Sequence, residues 1–129
     1  MLLHTGATAS VDGVTVRRKI EACAEELFDA WLDAERLASW MRPAGANESV
    51  VSVDAREGGR FEIVMHTDDK ATPHRGTYIV IDRPRRLVFT WNSPMTGGRD
   101  ATVSVHFRAE GEKTEVAVIY QPPPAMLWM

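Results

Sequence analysis

The side chains in this chain that could do chemistry are few, and their spacing assigns them little. His66, Asp68 and His74 are the densest cluster. Two imidazoles and a carboxylate are a donor set that suits zinc or a similar ion. A hairpin centred on Lys70 sets His66 opposite His74. The same alternation turns both away from the apolar face of the sheet. The expectation is therefore a solvated hairpin tip without metal, because a functional site needs outer-shell partners that the sequence does not show. Cys23 is the one cysteine. It precedes a helix, where the dipole can activate a thiol, but a packed or merely exposed thiol is the expectation. Ser10, Ser39, Ser49, Ser52, Ser93 and Ser104 all lack a Gly-x-Ser-x-Gly elbow. Asp68-Asp69 and Glu25-Glu26 are sequence neighbours rather than facing pairs, so no general acid–base pair is visible. Arg56, Arg75 and Arg99 are candidate anion holders that solvated strand ends explain as well. No catalytic residue, metal or cofactor is assigned, and the reading leans away from an enzyme.

The apolar residues say more. Phe28, Trp31, Trp40, Phe61, Phe89 and Trp91 are of the types that fill cores, and apolar binding sites are built from the same types. Together with Ile63, Thr77, Ile79 and Val103 they form the set expected to line a cavity. Thr77, beside Trp91, is the polar group expected to face inward, where it could orient a ligand.

The 129 residues make one domain by the usual size prior. A hydrophobic share of 44% and a charged share of 26% describe an ordinary globule. A net charge of −3 argues against nucleic acid, which needs a basic face. Arg83, Arg85 and Arg86 cluster around Pro84 and read as a turn. A lone cysteine excludes an intrachain disulfide and suits a reducing compartment. No basic segment leads into an apolar one at the N-terminus. The longest apolar runs, Val116–Tyr120 and Ala125–Met129, are far too short to cross a bilayer. A cytoplasmic protein with no membrane partner is expected.

These residues must be positioned by a helix pair and a meander. Residues 1–13 read as a flexible N-terminal arm, 14–121 as the domain and 122–129 as a short apolar tail. Val14 to Ile20 alternates as a strand does. Leu27, Phe28, Trp31 and Leu32 recur at helical spacing over 24–32. Asp33 is an N-cap for a second short helix holding Leu37, Trp40 and Met41, which Pro43 and Gly45 end. Strands follow at 50–56, 60–67, 73–82, 86–93, 101–109 and 114–121, with turn residues in each gap. Helices followed by a run of strands predict an α+β domain.

Directly opposed residues share a face, which extends the reading to register. The Lys70 turn sets Phe61 opposite Ile79 and Ile63 opposite Thr77. A turn at Pro84 sets Ile81 opposite Leu87 and Ile79 opposite Phe89. A bulged Gly58-Gly59 turn groups Val51 and Val53 with Phe61 and Ile63. The Gly111 turn sets Phe107, Val105 and Val103 opposite Val116, Val118 and Tyr120. One apolar face follows: Val53, Phe61, Ile63, Met65, Thr77, Ile79, Phe89, Trp91, Val103, Val105 and Val118. Val64, Tyr78, Val80 and Val88 fall on the other.

The order strand, two short helices, meander resembles the helix-grip, or START-like (SRPBCC), superfamily. The motifs Arg18-Lys19-Ile20, Leu27-Phe28-Asp29-Ala30-Trp31 and Glu35-Arg36-Leu37-Ala38-Ser39-Trp40 narrow it. So do Arg56-Glu57-Gly58-Gly59-Arg60-Phe61, Arg75-Gly76 and Asp82-Arg83-Pro84-Arg85-Arg86-Leu87-Val88-Phe89-Thr90-Trp91. They resemble the activator of heat-shock-protein-90 ATPase homologues. The resemblance implies a curved antiparallel sheet gripping a long C-terminal helix around a cavity. It also implies that members mostly bind hydrophobic small molecules or are uncharacterised, while a eukaryotic relative stimulates a chaperone ATPase. Pro122-Pro123-Pro124 stands where the long helix would begin, so that helix is expected to be missing.

Non-catalytic binding of a hydrophobic small molecule is thus the expected function. A chaperone-interacting module is the alternative, and a cyclase-type enzyme ranks behind both. A homodimer is also expected. About ten large apolar residues line the sheet, and leaving half their burial unmade would forfeit on the order of 10 kcal/mol. Tail residues Met126, Leu127, Trp128 and Met129 are of a kind enriched at interfaces.

Overall fold

The structure, a computed structural model, describes residues 8–10, 13–40, 48–67 and 69–123. Eight strands are laid down in chain order: β1 (Thr8–Ser10), β2 (Gly13–Ile20), β3 (Glu48–Val53), β4 (Arg60–His66), β5 (Ala71–Asp82), β6 (Arg86–Trp91), β7 (Ala101–Glu110) and β8 (Lys113–Gln121). They form one antiparallel sheet in the order β1-β2-β8-β7-β6-β5-β4-β3. Helices α1 (Ala24–Ala30) and α2 (Ala34–Trp40) come between β2 and β3. This is the α+β, helix-grip class that the sequence predicts. Pro122 and Pro123 are not helical, and the apolar tail from residue 124 lies outside the described residues. Thr8–Ser10 pairs with β2, so the segment read as a flexible arm contains a short strand. Among the described residues, no helix is long and apolar enough to cross a membrane.

Helices of seven residues are too short to stand alone, so packing must hold them. Phe28 does this for α1. It is fully buried, edge-on to Phe107 of β7 at 5.3 Å. Glu25 and Glu26 place charge at the positive end of α1. Asp33 caps α2 as predicted, its Oδ1 accepting from the Arg36 N–H at 3.1 Å. Fully buried Thr114 donates its hydroxyl to the Ala22 carbonyl at 2.8 Å, tying the β2–α1 link to β8. The β5–β6 turn is tied to α1 by a two-pronged contact, Arg83 to Asp29 at 2.7 and 2.9 Å. That hydrogen bond holds the Asp29 carboxyl below its ordinary range.

Much of the predicted register holds. Phe107, Val105 and Val103 face Val116, Val118 and Tyr120. Val53 and Val51 face Phe61 and Ile63, and Ile81 faces Leu87. The β4–β5 hairpin differs. The Thr67 N–H bonds the Lys70 carbonyl at 2.9 Å, so the chain reverses in a tight turn over 67–70, not one centred on Lys70. Phe61 therefore faces Gly76, Ile63 faces His74, and His66 faces Ala71. A bulge between Tyr78 and Val80 then sets Tyr78, not Ile79, opposite Phe89. The two departures, a shift of three residues in the hairpin and of one at the bulge, share one consequence, since a slip by an odd number of residues exchanges the faces of a strand. Thr77 and Ile79 point outward, with Ile79 49% exposed, whereas His74 and Tyr78 are buried. Tyr78 thus leaves the outer surface on which the sequence reading placed it.

Candidate functional site

The helices and the sheet meet at an apolar cavity of about 20 Å³. Trp31, just past α1, and Leu37 of α2 form its helical side. Phe61 and Ile63 of β4, Tyr78 of β5, and Phe89 and Trp91 of β6 form its sheet side. Phe61 is the hub. Its ring centre lies 5.3 Å from Tyr78, 6.0 Å from Trp91, and 5.4 Å from Phe89, to which it stands perpendicular. Trp31 reaches Phe89 from above at 6.5 Å. Phe61 and Phe89 meet edge to face and the other three pairs are tilted, arrangements that aromatic rings prefer to a face-to-face sandwich. The volume matches about one water. A larger occupant requires Trp31 and Leu37 to move off the sheet.

Five residues expected to line a cavity surround this one: Trp31, Phe61, Ile63, Phe89 and Trp91. Phe28 and Val103 instead belong to the solid core, Phe28 against Phe107 and Val103 opposite Phe89. The Trp40 side chain lies outside the described residues. Thr77 and Ile79 are corrected to the outer face, for the reason of register given above. Tyr78 takes the inward place foreseen for Thr77. Leu37 and Tyr78 are the lining residues that the sequence reading did not name. Gly76 was the available signal for Tyr78, because a glycine inside a strand marks a bulge or a close approach.

His74 is buried at the same wall. Its ring stacks on Trp91 with centres 5.1 Å apart, and its Nδ1 has no hydrogen-bond partner. Burial pushes its imidazole below the ordinary value of 6.5. The sign of the linkage follows: an unfolded chain takes up a proton near pH 6.5 while the folded one resists it, so stability falls as pH drops through 6.5 toward the lowered folded value. His106, lowered by burial and by Arg86 and Arg17, adds a contribution of the same sign. Urea midpoints should therefore fall between pH 7.5 and 5, and His74→Phe should flatten part of that slope. An unchanged slope in His74→Phe would contradict the placement of His74.

The other candidates disperse. His66 and His74 are no longer opposed, and Asp68 lies outside the described residues. Cys23 is exposed at the N-cap of α1 and its side chain makes no capping bond. On the outer face a wide recess of about 630 Å³ runs over Ser52, Arg60, Glu62, Arg75, Thr77, Thr90, Asn92 and Asp100. Much of its polarity is spent internally: Arg75 pairs with Glu62 at 2.7 Å, and Asn92 bonds Asp100 at 3.0 Å.

Comparison with known proteins agrees with this architecture. No curated protein sequence matches the chain significantly. A Rhodobacter sphaeroides protein of known structure superposes with a TM-score of 0.80 at 20% identity, over 89% of this chain and 76% of its own. A Mycobacterium smegmatis protein gives 0.79 at 16% identity, over 94% and 80%. An HSP90 activator from Plasmodium falciparum gives 0.70 at 21% identity, over 89% and 76%. At such identities the likeness is one of fold. Residues 21–125, from the end of β2 through β8, match the family model described as activator of Hsp90 ATPase homolog 1-like protein. That match spans most of the chain, and the chain belongs to that family.

Proposed function

We propose that this domain binds a hydrophobic small molecule between its helices and its sheet, without catalysing a reaction. The observation that carries the reading is the cavity at the helix–sheet seam, walled by Trp31, Phe61, Phe89 and Trp91. Concave sites of this composition are where apolar ligands bind. The lining side chains include no cysteine, serine or carboxylate, which favours binding over a cyclase-type reaction. Native mass spectrometry of the purified protein tests the proposal. The expected spectrum carries a retained small-molecule mass, or gains one on incubation with an apolar probe such as 2-ethylnaphthalene. A bare chain under both conditions would contradict it.

Family membership and the likeness to the Plasmodium falciparum HSP90 activator support a second reading, a chaperone-interacting module. Co-purification of a chaperone in place of a ligand would favour it. A homodimer remains part of the proposal. Strand β3 ends the sheet order, and Val50, 54% exposed, adjoins Val64 and Pro73 across β3, β4 and β5. An apolar strip at a free sheet edge is a surface that a second copy can cover. The same spectra report whether the dimer forms. A reducing, cytoplasmic setting accords with the lone exposed cysteine.

A further inference from the structure

We infer that the outer face of the sheet, where Arg86, His106 and Arg17 stand in one row, is a docking surface for an extended acidic segment of a partner protein. It lies across the sheet from the cavity and stands apart from the ligand-binding reading. Register sets the row. Arg86 of β6 faces His106 of β7, His106 faces Ala117 of β8, and Ala117 faces Arg17 of β2. Directly opposed residues share a face. Their chain neighbours Leu87, Phe107 and Val116 belong to the core, so the row itself points outward. Ala117 carries a single methyl group and sets no bulk between His106 and Arg17.

The charges around this row do not balance. Lys19 and Arg108 are met by Glu110, at 3.1 and 3.0 Å. Glu115 is divided between Arg108 at 3.5 Å and Arg17 at 3.7 Å. Asp82 faces Arg86 from β5 but pairs with Arg85 at 3.4 Å. Among the described residues no carboxylate lies within ion-pair distance of Arg86. Four cations, Arg17, Lys19, Arg86 and Arg108, are thus served by the carboxylates of Glu110 and Glu115 alone. The excess is centred on His106. Burial, then Arg86, then Arg17 push its imidazole below 6.5, and no carboxylate offsets them. An anion laid over the row relieves that repulsion.

The spacing selects the occupant. Adjacent strands lie about 4.8 Å apart, so the backbones at Arg86 and Arg17 are separated by about 14 Å. Side chains on one side of an extended chain recur about every 7 Å. Alternate carboxylates of a segment crossing the strands therefore fall over Arg86, between His106 and Ala117, and over Arg17. A lone phosphate ion would have to draw both arginines inward over Ala117 to meet them. The net charge of −3 on the whole chain disfavours a nucleic acid.

The test is an NMR titration of the full chain with a capped peptide in which three glutamates alternate with serines, and with its glutamine counterpart. The glutamate peptide is expected to shift Arg17, Arg86 and His106 and to raise the His106 titration midpoint, and the glutamine peptide to do neither. Arg86→Gln and Arg17→Gln, both at exposed positions, should each weaken the glutamate peptide by about two- to fivefold. Raising salt from about 0.01 to about 0.15 M should weaken it as well. Equal binding of the two peptides, binding by neither, or unchanged affinity in both variants would overturn the surface. Tighter binding of inorganic phosphate, or of a short single-stranded DNA, would overturn the acidic segment as its occupant. None of these results bears on an apolar probe in the cavity, so the two readings fail separately.

Discussion

Gly76→Ala is expected to destabilise the domain by about 3 kcal/mol or more, a large share of the stability of a domain of this size. The methyl group has nowhere to go. A Cβ at Gly76 would overlap both the Thr90 carbonyl oxygen of β6 and the Phe61 ring of β4. One of these is backbone and the other is the hub of the aromatic cluster, so neither can yield cheaply. Relief requires β5 to separate from β6 at the point where the cavity wall is built. Gly98→Ala is the matched control. It has open space around it and a φ of 76°, so it should show only the strain of a left-handed alanine, about 1 kcal/mol. Urea unfolding of both variants checks the contrast, and a Gly76→Ala protein as stable as its control would refute the close approach.

Phe28→Ala is expected to cost about 3–5 kcal/mol, the range for removing a large buried aromatic. Phe28 is fully buried, and it joins α1 to Phe107. With Phe28 gone, α1 loses its main attachment to the sheet, and Trp31 beyond it loses its support over Phe89. Two readouts should therefore move together: the unfolding midpoint, and the near-ultraviolet circular dichroism of the aromatic cluster. A loss below about 1 kcal/mol would mean that other contacts hold α1.

The two positions differ in how visible they were beforehand. Phe28 was legible because helical spacing with Leu27, Trp31 and Leu32 marks one buried stripe. The β7–β8 register was legible because Gly111 makes a short turn that fixes every pair beyond it. The far end of β5 was not. Its register depends on which residues close the 67–70 turn, and on a bulge between Tyr78 and Val80 for which Gly76 was the one available signal. Lys70 was a plausible centre, but Thr67 closes the turn through its own backbone. Both departures fell on the same strand, so Thr77 and Ile79 exchanged faces with Tyr78, and His74 moved from a solvated hairpin tip into the core. The aromatic walls on β4 and β6 survived because their large apolar residues, Phe61 and Ile63 on β4 and Leu87, Phe89 and Trp91 on β6, fall on alternate positions. The candidate site was thus readable in its apolar walls on β4 and β6 and unreadable in the facing of β5.

The most direct test is where an apolar probe binds. Amide and side-chain NMR spectra are recorded while 2-acetylnaphthalene is added to the isotope-labelled chain. The account predicts shifts concentrated at Trp31, Leu37, Ile63, Tyr78, Phe89 and Trp91, with Arg60, Arg75 and Thr90 of the outer recess unmoved. Shifts confined to that outer recess, or no shifts at millimolar probe, would contradict it.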